Sequence, residues 1–199
     1  MKKALLLVSV LFISVVSTAC INKFAVQELN NKAKSYIEQG DYQNAIERLK
    51  SSADLDETVF ETHYNLAVAY TQAEDYQNAI TSYKKAIELK PDFADAYYSL
   101  AVAQEDCAAD LAKGKLKVNE DLVMVKVSDE DLLKMDKLSY NEPTKSTIAA
   151  LMADSVKNYN LYLEKGQNIT DKDEVSEKIK SLIEEANSSE FLQDKKVEK

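Results

Sequence analysis

The sequence predicts an all-α solenoid of stacked antiparallel helix pairs, with an insertion in its third unit and a capping helix at its end. Three observations carry that expectation. The hexapeptide Asp41-Tyr42-Gln43-Asn44-Ala45-Ile46 recurs letter for letter as Asp75-Tyr76-Gln77-Asn78-Ala79-Ile80, displaced by 34 residues. Its flanks keep the same period, pairing Ala33 with Ala67, Tyr36 with Tyr70 and Leu55 with Leu89. A fixed period of this length marks a supersecondary unit that buries its apolar face only by stacking on copies of itself. Composition agrees: 3 glycines, 2 prolines and no tryptophan in 199 residues, with Ala, Leu, Lys, Glu and Tyr abundant, suit a helical domain.

Residues 1–19 are expected to be a signal peptide. Lys2 and Lys3 precede an apolar run from Ala4 to Ala19, broken only by Ser9, Ser14, Ser17 and Thr18. A basic start, a short apolar stretch and small residues before a cut site are the marks of an export signal. The run falls short of the ~20 residues that a bilayer-spanning helix needs. Ser17-Thr18-Ala19-Cys20 resembles the lipobox of bacterial lipoproteins, which implies Cys20 as the lipidation site and first mature residue. Ser17 departs from that pattern, which prefers an aliphatic residue there. Cleavage after Ala19 without lipidation is the alternative, because Ser17-Thr18-Ala19 also fits a small-x-small site. Acyl chains on Cys20 would hold the domain at a membrane surface through about 0.8 kcal/mol per buried methylene. Residues 20–25 would then be a tether. The other cysteine, Cys107, is expected to behave as a small buried hydrophobe, or to pair with Cys20 if no lipid is attached.

Without residues 1–19 the chain keeps 23 basic and 34 acidic residues, a net charge of −11. Such a charge repels nucleic-acid phosphates and anionic headgroups, so no nucleic-acid partner is expected. About 180 residues suffice for one continuous core.

The repeats follow in order. The second, residues 60–93, is the clearest. Leu66, Ala67 and Tyr70 fall three to four apart on one helix, as do Tyr76, Ala79, Ile80, Tyr83, Ala86 and Ile87 on the next. Ala67 and Ala79 are small where paired helices approach, and Pro91 ends the unit. Leu66, Ala67, Tyr70, Ala79, Tyr83, Ala86 and Pro91, at this spacing, resemble the tetratricopeptide (TPR) repeat, with His63 where that family usually has a large ring. The first repeat, residues 26–59, matches less fully: Lys32, Ser52 and Glu57 depart from the motif, as an end unit with one unpaired face tolerates.

The third repeat begins on schedule with Tyr97, Leu100 and Ala101, and a helix is expected over about residues 94–112. The pattern then fails at Lys113. It resumes in the stripe Ile148, Leu151, Met152, Val156, Tyr159, Tyr162 and Leu163, expected to start at Ser146 or Thr147 and to stop at Gly166. The third unit, residues 94–165, is therefore expected to be split by an insertion over 114–147. Within it, residues 122–127 are β-prone and Ser128 opens a short helix reaching Leu138. A last helix over residues 170–187, capped by Thr170 and buried through Val175, Ile179, Leu182, Ile183 and Ala186, should close the solenoid. Residues 188–199 are expected to be a flexible tail.

Two binding surfaces are expected. In the TPR family the first helix of each unit lines the concave face, which implies an inner row of Asn30, Tyr64 and Tyr98, then Lys34, Val68 and Val102, with Thr71 and Glu105 beyond. That row lacks the basic and Asn set with which chaperone-binding TPR domains clamp a terminal carboxylate, and suits an extended or helical peptide. Packing of Tyr64 and Tyr98 on neighbouring helices is the competing reading. The insertion is the second candidate, since long excursions inside compact repeats are usually functional or disordered. No catalysis is expected, nor any cofactor or metal: His63 is the one histidine, and Gly40, Gly114 and Gly166 stand too far apart for a phosphate loop. The expectation is an exported, lipid-anchored TPR adaptor that binds protein or peptide partners in a bacterial cell envelope. The alternative is an accessory subunit that delivers a ligand to a membrane transporter, or a soluble exported protein if Cys20 carries no lipid.

Overall fold

The computed structural model describes residues 22–133 and 140–188. In chain order it holds α1 (22–38), α2 (Tyr42–Leu55), α3 (Phe60–Gln72), α4 (Tyr76–Leu89), α5 (Ala94–Ala112), β1 (Leu116–Val118), β2 (Met124–Lys126), α6 (Asp129–Leu133), α7 (Glu142–Lys165) and α8 (Lys172–Ser188). The fold is the expected TPR-type helical solenoid of antiparallel pairs.

The repeated hexapeptide is a helix-starting device. Asp41 caps α2 by accepting from the Asn44 backbone N–H at 3.3 Å and its side chain at 2.7 Å. Asp75 caps α4 through Asn78 in the same way, at 3.4 and 2.8 Å. Each cap satisfies N–H groups that the first helical turn leaves open. The preceding turns also match. Gly40 (φ 76°), Glu74 (φ 57°) and Gly114 (φ 73°) are left-handed, and the next residue donates its N–H back to Tyr36, Tyr70 or Asp110.

Burial repeats with the sequence. Ala45, Ala79 and Ser155 are fully buried at corresponding places in the second helix of each unit. One turn later come Leu49, Tyr83 and Tyr159, at 0–2 % exposure. Burying a side chain of this size contributes roughly 1.5–3 kcal/mol. Leu66, Ala69 and Tyr70 join units one and two, while Ala67, Leu100 and Ala103 join two and three. Ala101 and Tyr159 then pack on Val175 and Leu182 of α8.

The third unit departs from the period because α5 runs 19 residues against 13 for α3. Its turn therefore falls at Gly114, and the hairpin β1–β2 follows, antiparallel with Leu116 opposite Lys126. Leu116 and Val118 enter a core with Cys107, Leu111, Ile148 and Met152. Cys107 is fully buried, as expected, and donates its thiol to the Met124 sulfur at 3.3 Å.

Several expected boundaries shift. Helix α7 starts at Glu142, not at Ser146 or Thr147, because Asn141 caps it by accepting from the Thr144 N–H at 2.9 Å and Pro143 fits the first turn. The insertion thus ends at Asn141. Residues 22–25 are already helical, so the expected tether does not include them. Helix α8 starts at Lys172, and the Asp171 carbonyl rather than Thr170 begins its ladder, accepting from Val175 at 2.9 Å. Helix α7 does stop at Gly166, where a Cβ would lie 2.6 Å from the Ile169 side chain. The expected signal peptide over residues 1–19, the expected lipidation site Cys20, the stretch 134–139 and residues 189–199 of the expected tail lie outside the described residues.

Candidate functional site

The inner row divides into two halves. Tyr98, Val102 and Glu105 project from α5 toward α7 and α8. The Tyr98 ring lies against Tyr159 (5.5 Å) and Tyr162 (5.1 Å). Val102 packs in the cluster with Val175 and Ile179. Glu105 accepts from the Tyr159 hydroxyl at 2.9 Å and pairs with Lys178 at 3.1 Å. Helix α8 thus occupies the place that the first helix of a fourth unit would take. The row is not continuously open, because the last apolar face of a solenoid must be covered.

Tyr64 is held as well. Its ring meets Tyr83 and Phe93 edge-on at 5.8 and 5.1 Å, and its hydroxyl bonds with Ser99 at 3.1 Å. Val68 packs in the same cluster, and the Thr71 hydroxyl donates to the Ala67 carbonyl at 2.9 Å. Asn30 is the hub of a small polar core. Its amide lies 2.8 Å from both Ser52 Oγ and Thr62 Oγ1 and 3.0 Å from the Val26 carbonyl. Two N–H groups serve three acceptors there, so the bonds are shared.

What remains open lies between α1 and α3. A groove of about 440 Å³ is lined by Lys23, Gln27, Asn30, Asn31, Lys34, Glu61 and Asn65, with Val26 and Val59 beneath. A carboxamide donates and accepts at once, so it can match both sides of a peptide group. Lys23 and Lys34 form no salt bridge among the described residues and outnumber Glu61, which makes the groove locally positive on a chain of net charge −9. Of these residues the inner row named only Asn30 and Lys34. The sequence did carry a signal for the others, since Gln27 and Asn31 stand 34 residues before Glu61 and Asn65.

Elsewhere the titratable groups serve packing. Burial pushes the Tyr83 phenol and the Cys107 thiol up to about 12. Burial, then the charge of Glu105, keeps the Tyr159 phenol protonated as a donor. Burial also raises the Asp106 carboxyl, with Glu105 and Asp110 adding to it. His63 Nε2 donates to the Glu57 carbonyl at 2.8 Å. Among the described residues no three His, Cys, Asp or Glu side chains converge on a metal position. No described helix is long and apolar enough to cross a membrane.

Residues 33–73 and 69–106 match the TPR repeat family. The fold is similar to that of the first TPR domain of Spaghetti (RPAP3), solved bound to the HSP90 peptide SRMEEVD: 17% identity, 83% of this chain and 95% of that one, TM-score 0.55. It is also similar to the second TPR domain of human RPAP3 in complex with the HSP70 peptide SGPTIEEVD, at 14% identity, 80% and 98% coverage and TM-score 0.54. The Arabidopsis OM64 TPR domain is 11% identical over 80% of this chain and 98% of that one, with TM-score 0.54. At these identities the likeness shows the fold. No curated protein sequence matches the chain.

Proposed function

We propose that this chain, whose residues 33–106 are TPR repeats, is a non-catalytic adaptor that binds a segment of another protein along the α1–α3 groove. The observation that carries this reading is the open, carboxamide-lined groove flanked by Lys23 and Lys34. Peptide complexes of TPR domains with the same fold support it. The occupant is an acidic or neutral segment, held through its backbone by Gln27, Asn31 and Asn65.

The protein acts outside the cytosol, anchored at a membrane surface through Cys20. The basic start, the apolar run and Ser17-Thr18-Ala19-Cys20 support that part of the reading. Mass spectrometry of the mature N-terminus tests it: a diacylated or triacylated Cys20 is expected, and an unmodified terminus at Cys20 or an uncut chain contradicts it.

Photocrosslinking in the native envelope tests the adaptor role. A crosslinker placed at Asn31 or Asn65 should trap one discrete protein, whereas the same group at Glu47 or Lys84 should not. Equal trapping at all four positions would reject the groove.

A further inference from the structure

Strand β2 has an open edge. In the hairpin, Asn119 donates its N–H to the Val123 carbonyl at 3.0 Å and Val127 donates to Lys115 at 2.8 Å. The hydrogen-bonded pairs are therefore 115/127, 117/125 and 119/123. The alternate residues, Leu116 and Val118 on β1 and Met124 and Lys126 on β2, turn their backbone groups outward. On β1 that side is closed: the Val118 N–H donates to Thr144 Oγ1 at 3.1 Å, and Asn141 Nδ2 donates to the Val118 carbonyl at 3.0 Å. On β2, among the described residues, the outward groups meet only Gln77 Oε1, 3.5 Å from the Met124 nitrogen. An unpaired row of this kind is a template for another strand.

A groove of about 480 Å³ runs along this edge, with Glu74, Tyr76 and Gln77 on one wall and Leu116, Val123 and Met124 on the other. The neighbouring Leu122 and Val123 are 68 % and 40 % exposed, unusual for large apolar side chains in this chain. Acids outnumber bases at the groove. Glu74 and Asp75 lie in its wall and Glu120 and Asp121 form the hairpin tip, while among the described residues Lys126 is the one cation lining it and is paired with Glu74 at 2.9 Å; elsewhere on the hairpin stand Lys115, paired with Asp110, and Lys117.

We propose that the β2 edge takes up an extended segment of a partner protein, alternating apolar and basic residues, as a third strand of the hairpin. Backbone bonds to Met124 and Lys126 would supply affinity. Apolar side chains on one face would cover Met124, and basic ones on the other would lie near the carboxylates around the groove, those of Glu120 and Asp121 at the hairpin tip above all. The exposed Gln77 carboxamide already offers its oxygen where the incoming carbonyl would sit, and would swing aside. This surface is separate from the α1–α3 groove and does not depend on it.

Fluorescence anisotropy of a labelled, end-blocked nonapeptide of alternating valine and lysine, titrated with the mature chain, tests the proposal. Lys126→Pro removes an outward N–H and leaves the β1–β2 pairs intact, whereas Lys126→Ala keeps that N–H. Wild type and Lys126→Ala should bind, Lys126→Pro should bind at least tenfold more weakly, and a valine–glutamate peptide should bind at least tenfold more weakly to wild type. In parallel, hydrogen exchange at the Lys126 amide of the wild-type protein should slow when the valine–lysine peptide is added. Unchanged binding by a folded Lys126→Pro, unaltered exchange at Lys126, or equal binding of the acidic peptide would overturn the proposal. So would a dimer, seen by light scattering, that forms through this edge in place of peptide binding.

Discussion

Tyr159 of α7 donates its hydroxyl to Glu105 of α5 at 2.9 Å, and the same carboxylate holds Lys178 of α8 at 3.1 Å. One acid therefore fastens the closing helix pair and its cap together. The consequence for binding is direct: the third unit's share of the inner face is used in closing the solenoid, and the open part of that face lies between α1 and α3.

Removing the Tyr159 hydroxyl should loosen that closure. A hydrogen bond to a charged acceptor contributes roughly 1.5–3 kcal/mol, and the part-exposed Glu105 places this one near the lower end. Tyr159→Phe is expected to lower the urea midpoint accordingly while leaving ligand binding at α1–α3 unchanged. A midpoint equal to wild type would show that the Tyr159–Glu105 bond does not hold the cap.

Asn30 and Asn31 are adjacent in sequence and should behave oppositely. Asn30→Ala strips the buried Ser52 and Thr62 hydroxyls of their amide and should cost roughly 1–3 kcal/mol. Asn31 is exposed, so Asn31→Ala should change stability by less than about 0.5 kcal/mol. Chemical denaturation of the two variants distinguishes a structural asparagine from a binding one.

Alkaline pH should unfold the protein. The folded-state values of the Cys107 thiol and the Tyr83 phenol are raised to about 12, above their ordinary values of 9.0 and 10.0. Between those limits the unfolded chain releases protons that the folded chain retains, so stability is complete below pH 9 and is lost as pH rises toward 12. Urea midpoints should be level from pH 7 to 8.5 and fall steadily from 9 to 11. A level profile to pH 11 would contradict the burial of both groups.

The hairpin should protect Cys107. Met124 lies 3.3 Å from the thiol, so Met124→Ala opens a path to it. Alkylation of the native protein at pH 8 should be slow, and the variant should react at least tenfold faster. Equal rates would mean that the hairpin does not cover this residue.

Much of the scaffold is legible in the sequence because its physics is local and periodic. Asp41 and Asp75 announce helix starts, Pro91 a stop, and Ala45 and Ala79 buried places in the second helices. The stripe through Tyr159 identifies the missing helix of unit three despite the intervening insertion. Its start is misplaced because Ser146 and Thr147 are also N-cap residue types just before the stripe, whereas the cap forms at Asn141, which accepts from the Thr144 N–H. Strand β1 goes unnoticed since Leu116-Lys117-Val118 is too short to show a period. The larger miss concerns the inner row. A repeat period assigns Tyr98, Val102 and Glu105 to the same face as Lys34 and Val68, but it contains nothing about which element covers the last unit. That depends on tertiary packing of α8, and it moves the open surface toward Gln27, Asn31 and Asn65.

The claim that the open part of the inner face lies at α1–α3 is tested most directly by amide chemical-shift mapping with a peptide selected from a random library on the wild-type protein and counter-selected against the Lys34→Glu, Asn65→Ala variant. Shifts should concentrate at Gln27, Asn31, Lys34 and Asn65, and Lys34→Glu combined with Asn65→Ala should weaken the peptide at least tenfold without unfolding the chain. Shifts centred on α5 and α8 around Tyr98 and Glu105, with unchanged affinity in the double variant, would contradict the account.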